Sequence, residues 1–217
     1  IMEAFEKITI GIPTKVETRS NSVLKMISYH EIGHTLVAMM FDKLFYIRKV
    51  TIQSNKNGEG GYTLFTPKEP YDSFPTKEYF LANIMVSLGG RIAEKILYKN
   101  NKDNKFNWLN DIDDLDITTG ASNDLKQAHS LARKYVMLFG NIGIYDCYDI
   151  SMPLLGRDIY SNNKLSEYTK EEIDKEVEST IHYCYDKVVD ILTKNEDRLH
   201  SLSYELLNKK TLDSQDL

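Results

Sequence analysis

Residues 26–40 read Met26-Ile27-Ser28-Tyr29-His30-Glu31-Ile32-Gly33-His34-Thr35-Leu36-Val37-Ala38-Met39-Met40. Within this stretch His30 and His34 are four residues apart, and Glu31 follows His30 directly. On a helix, that spacing places both imidazoles on one face about one turn apart, close enough to share one zinc ion. Glu31 then lies beside the open position of the metal, where its carboxylate can take a proton from water. The stretch predicts half of a zinc site and its base.

The surrounding residues favour the helix that this chemistry needs. No proline interrupts residues 21–42, and apolar side chains recur at helical spacing, namely Val23, Leu24, Ile27, Ile32, Leu36, Met39 and Met40. Zinc lowers the pKa of a bound water from about 16 toward about 7, and a nearby carboxylate can pass the proton to a leaving amine. Peptide hydrolysis is therefore the predicted reaction.

The composition excludes several other classes of protein. With 217 residues, 41% of them hydrophobic, the chain is long enough to bury a core as one domain. A net charge of -5 gives no basic footprint, so no nucleic-acid partner is expected. The longest apolar runs are far shorter than the roughly 20 residues that span a bilayer, so we expect this chain to be soluble. Cys147 and Cys184 fit neither a zinc spacing nor a disulfide framework, which is typical of a reducing compartment.

A β-hairpin is predicted after the zinc helix. Residues 45–53 and 62–66 are rich in β-branched and aromatic side chains, and a glycine-rich turn at 54–61 separates them. An extended peptide substrate can add its backbone to an exposed strand edge. The candidate substrate strand comprises Tyr62, Thr63, Leu64 and Phe65, although a purely structural hairpin fits the pattern equally well.

A first candidate for the third metal ligand lies on the next predicted helix, from Thr76 to about Tyr98. Gly89 and Gly90 lie inside it, and each costs about 1 kcal/mol against alanine, so we expect the zinc helix to pack closely there. Glu94 follows one turn later and can supply a carboxylate ligand. Its alternatives are a surface glutamate or a residue that supports a metal ligand from behind.

Asp124 is the second candidate for the third ligand. Gly120 breaks the chain just before a predicted helix that ends at Gly140, which places Asp124 in the first helical turn. A tight, glycine-containing turn can aim that carboxylate. The residues alone leave the choice between Glu94 and Asp124 open.

The remaining segments complete a predominantly α-helical fold, of α+β type with one small β-hairpin. Residues 99–118 are polar and acidic and are interpreted as an insertion, and residues 141–165 are irregular. A capping box at residues 169–172 predicts the start of a long helix, and Asn195 is predicted to cap another. These two helices form the predicted C-terminal helical hairpin.

Three separate runs occur in this order: Tyr29-His30-Glu31-x-Gly33-His34-x-Leu36-Val37-Ala38, Gly89-Gly90-Arg91-x-Ala93-Glu94 and Thr119-Gly120-Ala121-Ser122-Asn123-Asp124-Leu125. Together they resemble the peptidase domain of the FtsH family of membrane-anchored, ATP-dependent zinc metalloproteases. The likeness continues through Val50-Thr51-Ile52, Gly61-Tyr62-Thr63-Leu64, Ile173-Asp174-x-Glu176-Val177 and Leu212-Asp213, so it covers nearly the whole chain.

The resemblance implies a role for each site residue. His30 and His34 match the family's histidine ligands of Zn²⁺, Glu31 matches its catalytic glutamate, and Asp124 matches the aspartate that completes the zinc site. This favours Asp124 over Glu94 as the third ligand, and Glu94 is then expected to support one of the ligands without binding the metal itself. The sequence departs from the family at Ile32, where alanine is usual, and in the insertion at 99–118.

The resemblance also implies a domain organisation and partners. Residues 1–20 match the tail of a preceding ATPase module and a linker, residues 21–165 the zinc-peptidase core, and residues 166–217 the C-terminal helical part of the same domain. The expected assembly is a homo-hexamer that degrades unfolded or misassembled proteins processively. ATP would be used only by the ATPase module, because this chain contains no Walker sequence.

The parent protein is expected to be anchored in a membrane through segments outside this chain. The family implies a bacterial cytoplasmic location for the domain, or a mitochondrial or plastid membrane in a eukaryote. An alternative function is a non-catalytic, ring-forming assembly module with a structural zinc. A structural zinc is usually closed by four protein ligands and has no use for a neighbouring base, so Glu31 argues against this alternative.

Overall fold

The computed structural model describes residues 18–55, 60–101, 119–139 and 167–217. Residues 1–17 of the predicted ATPase tail and linker (1–20), the insertion beyond residue 101 and the irregular segment with Cys147 lie outside these ranges. The elements are helix α1 (Asn21–Met39), strands β1 (Phe45–Thr51) and β2 (Tyr62–Pro67), helices α2 (Lys77–Asn101), α3 (Ser122–Phe139), α4 (Glu167–Lys194) and α5 (Glu196–Lys209), and strand β3 (Thr211–Asp213). The predicted, predominantly helical fold with a small sheet is confirmed.

Helix α1 lies at the centre of the fold. The side chain of Ser20 caps it by accepting a hydrogen bond from the backbone N–H of Val23 at 3.4 Å. Helices α2 and α5 and the sheet pack around it, so α1 is buried on most of its circumference. Its fully buried apolar side chains are Tyr29, Ile32, Leu36, Val37 and Ala38.

The packing of α1 on α2 depends on two glycines that face each other. A Cβ atom added at Gly33 would lie 2.5 Å from the carbonyl oxygen of Gly89, and one added at Gly89 would lie 2.7 Å from the carbonyl oxygen of Gly33. The two backbones therefore touch, which explains why both helices accept a glycine in their interior. The predicted close approach of the zinc helix to the glycine pair is confirmed.

We expect Gly33→Ala to destabilise the chain by about 2 kcal/mol. The alanine gains about 1 kcal/mol of helix propensity, but its Cβ would overlap backbone atoms that cannot rotate away, and such overpacking costs more than the gain. Urea unfolding measures the difference in free energy. Gly60→Ala is the control, because its Cβ would meet mainly the flexible end of Ile27, at 3.1 Å. Equal unfolding midpoints for the two variants would contradict the close contact.

The three strands form one antiparallel sheet in the order β2-β1-β3. The predicted hairpin of β1 and β2 is confirmed, with a register shift between Ile47 and Lys49 that makes a bulge. Strand β3 was not predicted, because three residues are too few to show an alternating pattern. Since β1 is central, β2 is an edge strand of the sheet that the described residues form.

The last two helices pack on different parts of the molecule. Helix α4 lies against α2 and α3, and α5 lies against α1, where the hydroxyl of Tyr29 hydrogen-bonds to Nδ1 of His200. The buried stripe of α4 is Ile173, Val177, Thr180, Cys184, Val188 and Leu192. Burial raises the pKa of the Cys184 thiol to about 12, so this cysteine is a neutral core residue at physiological pH.

Two predicted helix boundaries differ from the structure. Helix α4 already includes Glu167, so Thr169 lies inside the helix and the predicted capping box at its start is wrong. Helix α2 continues to Asn101, beyond the predicted end near Tyr98 and into the segment interpreted as an insertion. Within the described ranges, no helix is both long enough and apolar enough to cross a membrane.

Candidate metal centre

The two motif histidines lie side by side on α1. Their Nε2 atoms are 3.0 Å apart, and their ring centroids are 4.7 Å apart. Both side chains are largely buried, His30 being 14% exposed and His34 10% exposed. The helical spacing thus brings one nitrogen of each ring to the same point.

The other nitrogen of each ring, Nδ1, is hydrogen-bonded to a group on α2. Nδ1 of His30 lies 2.8 Å from Oε1 of Glu94, and Nδ1 of His34 lies 2.6 Å from the carbonyl oxygen of Val86. Both partners accept hydrogen bonds, so we assign the proton of each neutral ring to Nδ1. That assignment leaves the lone pair of each Nε2 directed at the shared point, as a metal ligand requires.

Glu94 is fixed in this supporting position. It is 1% exposed, and its second oxygen accepts a hydrogen bond from Arg91 at 3.2 Å. Because one oxygen contacts His30 from behind and the other contacts Arg91, neither points at the place where the two Nε2 atoms converge. The geometry makes Glu94 a partner of His30 and does not place it among the converging ligand atoms.

Asp124 reaches the converging nitrogens from α3. A turn precedes the helix, with the N–H of Ser122 donating to the carbonyl of Thr119 at 2.9 Å, and buried Ala121 anchors it. Oδ2 of Asp124 lies 3.1 Å from Nε2 of His30 and 3.6 Å from Nε2 of His34. The sequence separation of about ninety residues is therefore closed by the packing of α2 and α3.

The three ligand atoms fit a zinc ion. His30, His34 and Asp124 place one nitrogen or oxygen each within 4.8 Å of the others, and elsewhere in the described part of the chain no three His, Cys, Asp or Glu side chains do so. Tetrahedral zinc with bonds of about 2.0–2.2 Å separates neighbouring ligand atoms by about 3.4 Å. The observed separations of 3.0, 3.1 and 3.6 Å bracket that value.

Gly90 forms the floor beneath the two rings. A Cβ atom there would lie 2.6 Å from Cε1 of His30 and 2.6 Å from Nε2 of His34. Any larger residue would push the imidazoles away from the point that they share. Gly90 therefore leaves room for the two imidazole rings, whereas Gly89 allows the backbones of α1 and α2 to touch.

The charges of the metal-free site are strongly coupled. Burial lowers the pKa of His30, but hydrogen bonds with the carboxylates of Asp124 and Glu94 outweigh it and raise that pKa to about 10. Burial tends to raise the pKa of Asp124, yet hydrogen bonds with His30 and His34 hold it well below its usual range. A metal ion that binds here must therefore displace a proton from His30.

Glu31 lies beside the three candidate ligands in the same cavity, whose volume is about 680 Å³. It is 7% exposed, and burial raises the pKa of its carboxyl group, although the neighbouring His30 and His34 oppose this shift. Its Oε2 accepts a hydrogen bond from the hydroxyl of Thr63 at 3.0 Å. A carboxylate with a raised pKa in a cleft can act as a proton acceptor and donor.

The candidate substrate strand borders this cavity. Tyr62, Thr63 and Phe65 line it on the side of β2, and Met26 and Ile27 contribute apolar surface from α1. Gly61 allows β2 to come this close, because a Cβ there would lie 3.2 Å from Cγ of Glu31 and 2.8 Å from the carbonyl oxygen of Thr51.

Two contributors to the site were not identified from the sequence. Val86 acts through its backbone carbonyl, which any residue can supply, so no sequence signal marks it. Thr63 was identified only as part of a strand, and its contact with Glu31 depends on how the sheet packs on α1. A polar residue among apolar neighbours on the inward face of a strand was the one available signal.

Comparisons with known proteins identify the family of the chain. The family profile described as "Peptidase family M41" matches residues 17–217. The chain is 31% identical over 222 residues to the ATP-dependent zinc metalloprotease FtsH of Bacillus subtilis, and 32% identical over 221 residues to that of Acholeplasma laidlawii. Each alignment covers 100% of this chain and 32% of the relative, so the chain spans about a third of the relatives' length. Because the profile covers nearly the whole sequence, the chain belongs to peptidase family M41.

Proposed function

We propose that this chain is a zinc-dependent endopeptidase domain, in which His30, His34 and Asp124 hold the metal and Glu31 is the general base. The observation that carries the proposal is the convergence of three ligand atoms beside a buried glutamate in one cleft. The names of the relatives, which are ATP-dependent zinc metalloproteases, support the same metal and reaction class.

Zinc at this site would supply a Lewis acid that makes water nucleophilic near neutral pH and polarises the peptide carbonyl. Glu94 and the carbonyl of Val86 keep the two imidazoles oriented and hold the proton of each neutral ring at Nδ1, so that Nε2 is the nitrogen that would bind the metal. Glu31 accepts the proton of the attacking water and delivers it to the leaving amine. Three protein ligands leave a coordination position open for this chemistry, unlike the four that close a structural site.

We further propose that an extended segment of substrate binds along β2. This strand is at the edge of the sheet and borders the cavity, so its outer backbone groups can pair with a peptide next to the metal. Only an unfolded segment can present such an extended backbone. Unfolded proteins are therefore the substrate class, and Tyr62, Thr63, Leu64 and Phe65 are the residues proposed to contact them.

The larger protein is proposed to resemble its relatives. We infer that a membrane-anchored ATPase module unfolds substrates and passes them to this domain processively, with residues 1–20 as the connection between the two modules. Residues 21–165 and 166–217 are proposed to act as one peptidase domain in a homo-hexameric ring. Light scattering of the full-length protein measures the size of that ring.

Removal and restoration of zinc test the proposed reaction. The full-length protein with ATP is expected to contain about one zinc per chain and to cleave unfolded casein. Extraction of the metal with a chelator should abolish cleavage, and stoichiometric zinc should restore it. Metal analysis and release of fluorescent peptides measure the two quantities. Zinc present at about one per chain, without cleavage of casein, would favour the ring-forming assembly module instead.

A further inference from the structure

We propose that Thr63 is a positioning residue for Glu31, which it holds in the orientation needed to receive a proton from water. This inference rests on the proposed function of Glu31 as the base. The residue belongs to β2, whereas Glu31 belongs to α1, so the contact connects the candidate substrate strand to the catalytic helix.

The hydroxyl of Thr63 lies 3.0 Å from both the carboxylate oxygen Oε2 and the carbonyl oxygen of Glu31. It has one proton, so it can satisfy only one of these acceptors at a time. The carbonyl also accepts a hydrogen bond from the hydroxyl of Thr35 at 2.8 Å, in addition to its place in the helical ladder. Since hydrogen bonds to charged acceptors are about twice as strong as neutral ones, the proton of Thr63 goes to the carboxylate.

Thr35 on α1 contributes to the hydrogen bonding between Thr63 and Glu31. It is fully buried, and its hydroxyl lies 3.4 Å from that of Thr63. By occupying the carbonyl of Glu31, Thr35 removes the competing acceptor and leaves the proton of Thr63 available to Oε2. The two threonines therefore divide the acceptors of Glu31 between them. Thr35 donates to the carbonyl oxygen, and Thr63 donates to Oε2 of the carboxylate.

The two oxygens of the Glu31 carboxylate are thereby distinguished. Oε2 is held by Thr63, whereas Oε1 receives no hydrogen bond from the part of the chain that the structure describes. One oxygen anchors the group, and the other carries the inferred role of proton acceptor in the cavity that Glu31 lines. The missing Cβ of Gly61 allows the strand to approach closely enough for this contact.

The test replaces the hydroxyl of Thr63 without changing the volume of the side chain. We expect Thr63→Val to lower kcat for casein-derived peptides by about 10- to 100-fold, with KM and zinc content unchanged, because a displaced base is costly even when the site is complete. Thr63→Ser keeps the hydroxyl and should return kcat to within about threefold of wild type. Thr211→Val is the control, since it removes a threonine hydroxyl from β3, at the other edge of the same sheet, where that hydroxyl lies 2.8 Å from the hydroxyl of Thr51.

A second measurement does not depend on turnover. Acetohydroxamic acid coordinates zinc as its anion, acetohydroxamate, after giving its proton to a neighbouring carboxylate, and it is too small to pair with β2. Calorimetric titration of the zinc-loaded full chain should show weaker binding to Thr63→Val than to wild type, and near-normal binding to Thr63→Ser. Equal affinities of wild type and Thr63→Val, or equal losses in the valine and serine variants, would overturn the inference.

The outcomes separate this inference from the function on which it rests. A rise in KM with unchanged kcat in Thr63→Val would assign Thr63 to substrate binding and overturn the positioning role. A wild-type protein that neither cleaves peptides nor binds acetohydroxamate would overturn the proposed function and this inference together. A wild-type protein that binds acetohydroxamate without cleaving peptides would contradict the function alone, and the affinities of the Thr63 variants would still decide the role of Thr63.

Discussion

Glu31→Gln is expected to retain zinc and the native fold but to cleave unfolded casein about 10²- to 10⁴-fold more slowly than wild type. General acid–base catalysis contributes rate factors of about this size, and an amide cannot accept the proton. None of the three proposed ligands is altered, so the metal content should not change. Rates of peptide release, together with metal analysis of the same samples, measure both quantities.

The stability of this variant provides an internal check. Burial raises the pKa of Glu31 in the folded chain, which means that ionising it in place is less favourable than ionising it in the unfolded chain. Above the unfolded pKa the charge therefore reduces stability, and the neutral amide removes that cost. We expect the metal-free variant to be at least as stable as wild type at pH 7, as measured by urea unfolding.

Glu178→Gln is the control for the change in charge. Its side chain is 75% exposed on α4, far from the cleft, and it should cleave at the wild-type rate. Cleavage by Glu31→Gln within a few-fold of wild type would contradict the role of Glu31 as base. A parallel loss of zinc would show that the substitution acts on the metal and not on proton transfer.

Local chemistry made part of this site predictable. The spacing of His30 and His34 fixes their relation on any helix, so the sequence predicts that both imidazoles share a face and that Glu31 lies next to them. The glycine pair was likewise informative, because two interior glycines need a close contact to offset their cost. These inferences depend on residues within a few turns of one another.

The third ligand, strand β3 and the start of α4 depend on contacts between distant parts of the chain, which a short stretch of sequence does not reveal. Glu94 and Asp124 are both carboxylates at helix positions that can reach a metal, and their local sequences left the choice open until the resemblance to a known family favoured Asp124. The placement of α2 and α3 brings Asp124, and not Glu94, to the Nε2 atoms of both histidines. Strand β3 pairs with β1 across about 160 residues and is too short to carry a pattern. The capping box at residues 169–172 has the right composition, but the helix had already begun, since a local cap signal does not prevent a longer helix.

The choice of third ligand is tested by comparing Asp124→Asn with Glu94→Gln. Loss of a partner that supports a ligand from behind costs about 10- to 100-fold in metal affinity, so loss of an anionic ligand is expected to cost at least about 100-fold. In Glu94→Gln the amide oxygen can still accept the hydrogen bond from Nδ1 of His30, and the loss should stay below about tenfold. Competition of each protein with a zinc chelator measures these affinities.

The two substitutions are closely matched, and this makes the comparison decisive. Each converts one carboxylate into its amide, each removes one negative charge, and neither changes the side-chain volume appreciably. Both groups contact His30, Asp124 at Nε2 and Glu94 at Nδ1, so a general effect of charge on the site would weaken zinc binding equally. A much larger loss in Asp124→Asn can arise only from direct contact with the metal, and the reverse order would assign the third ligand to Glu94.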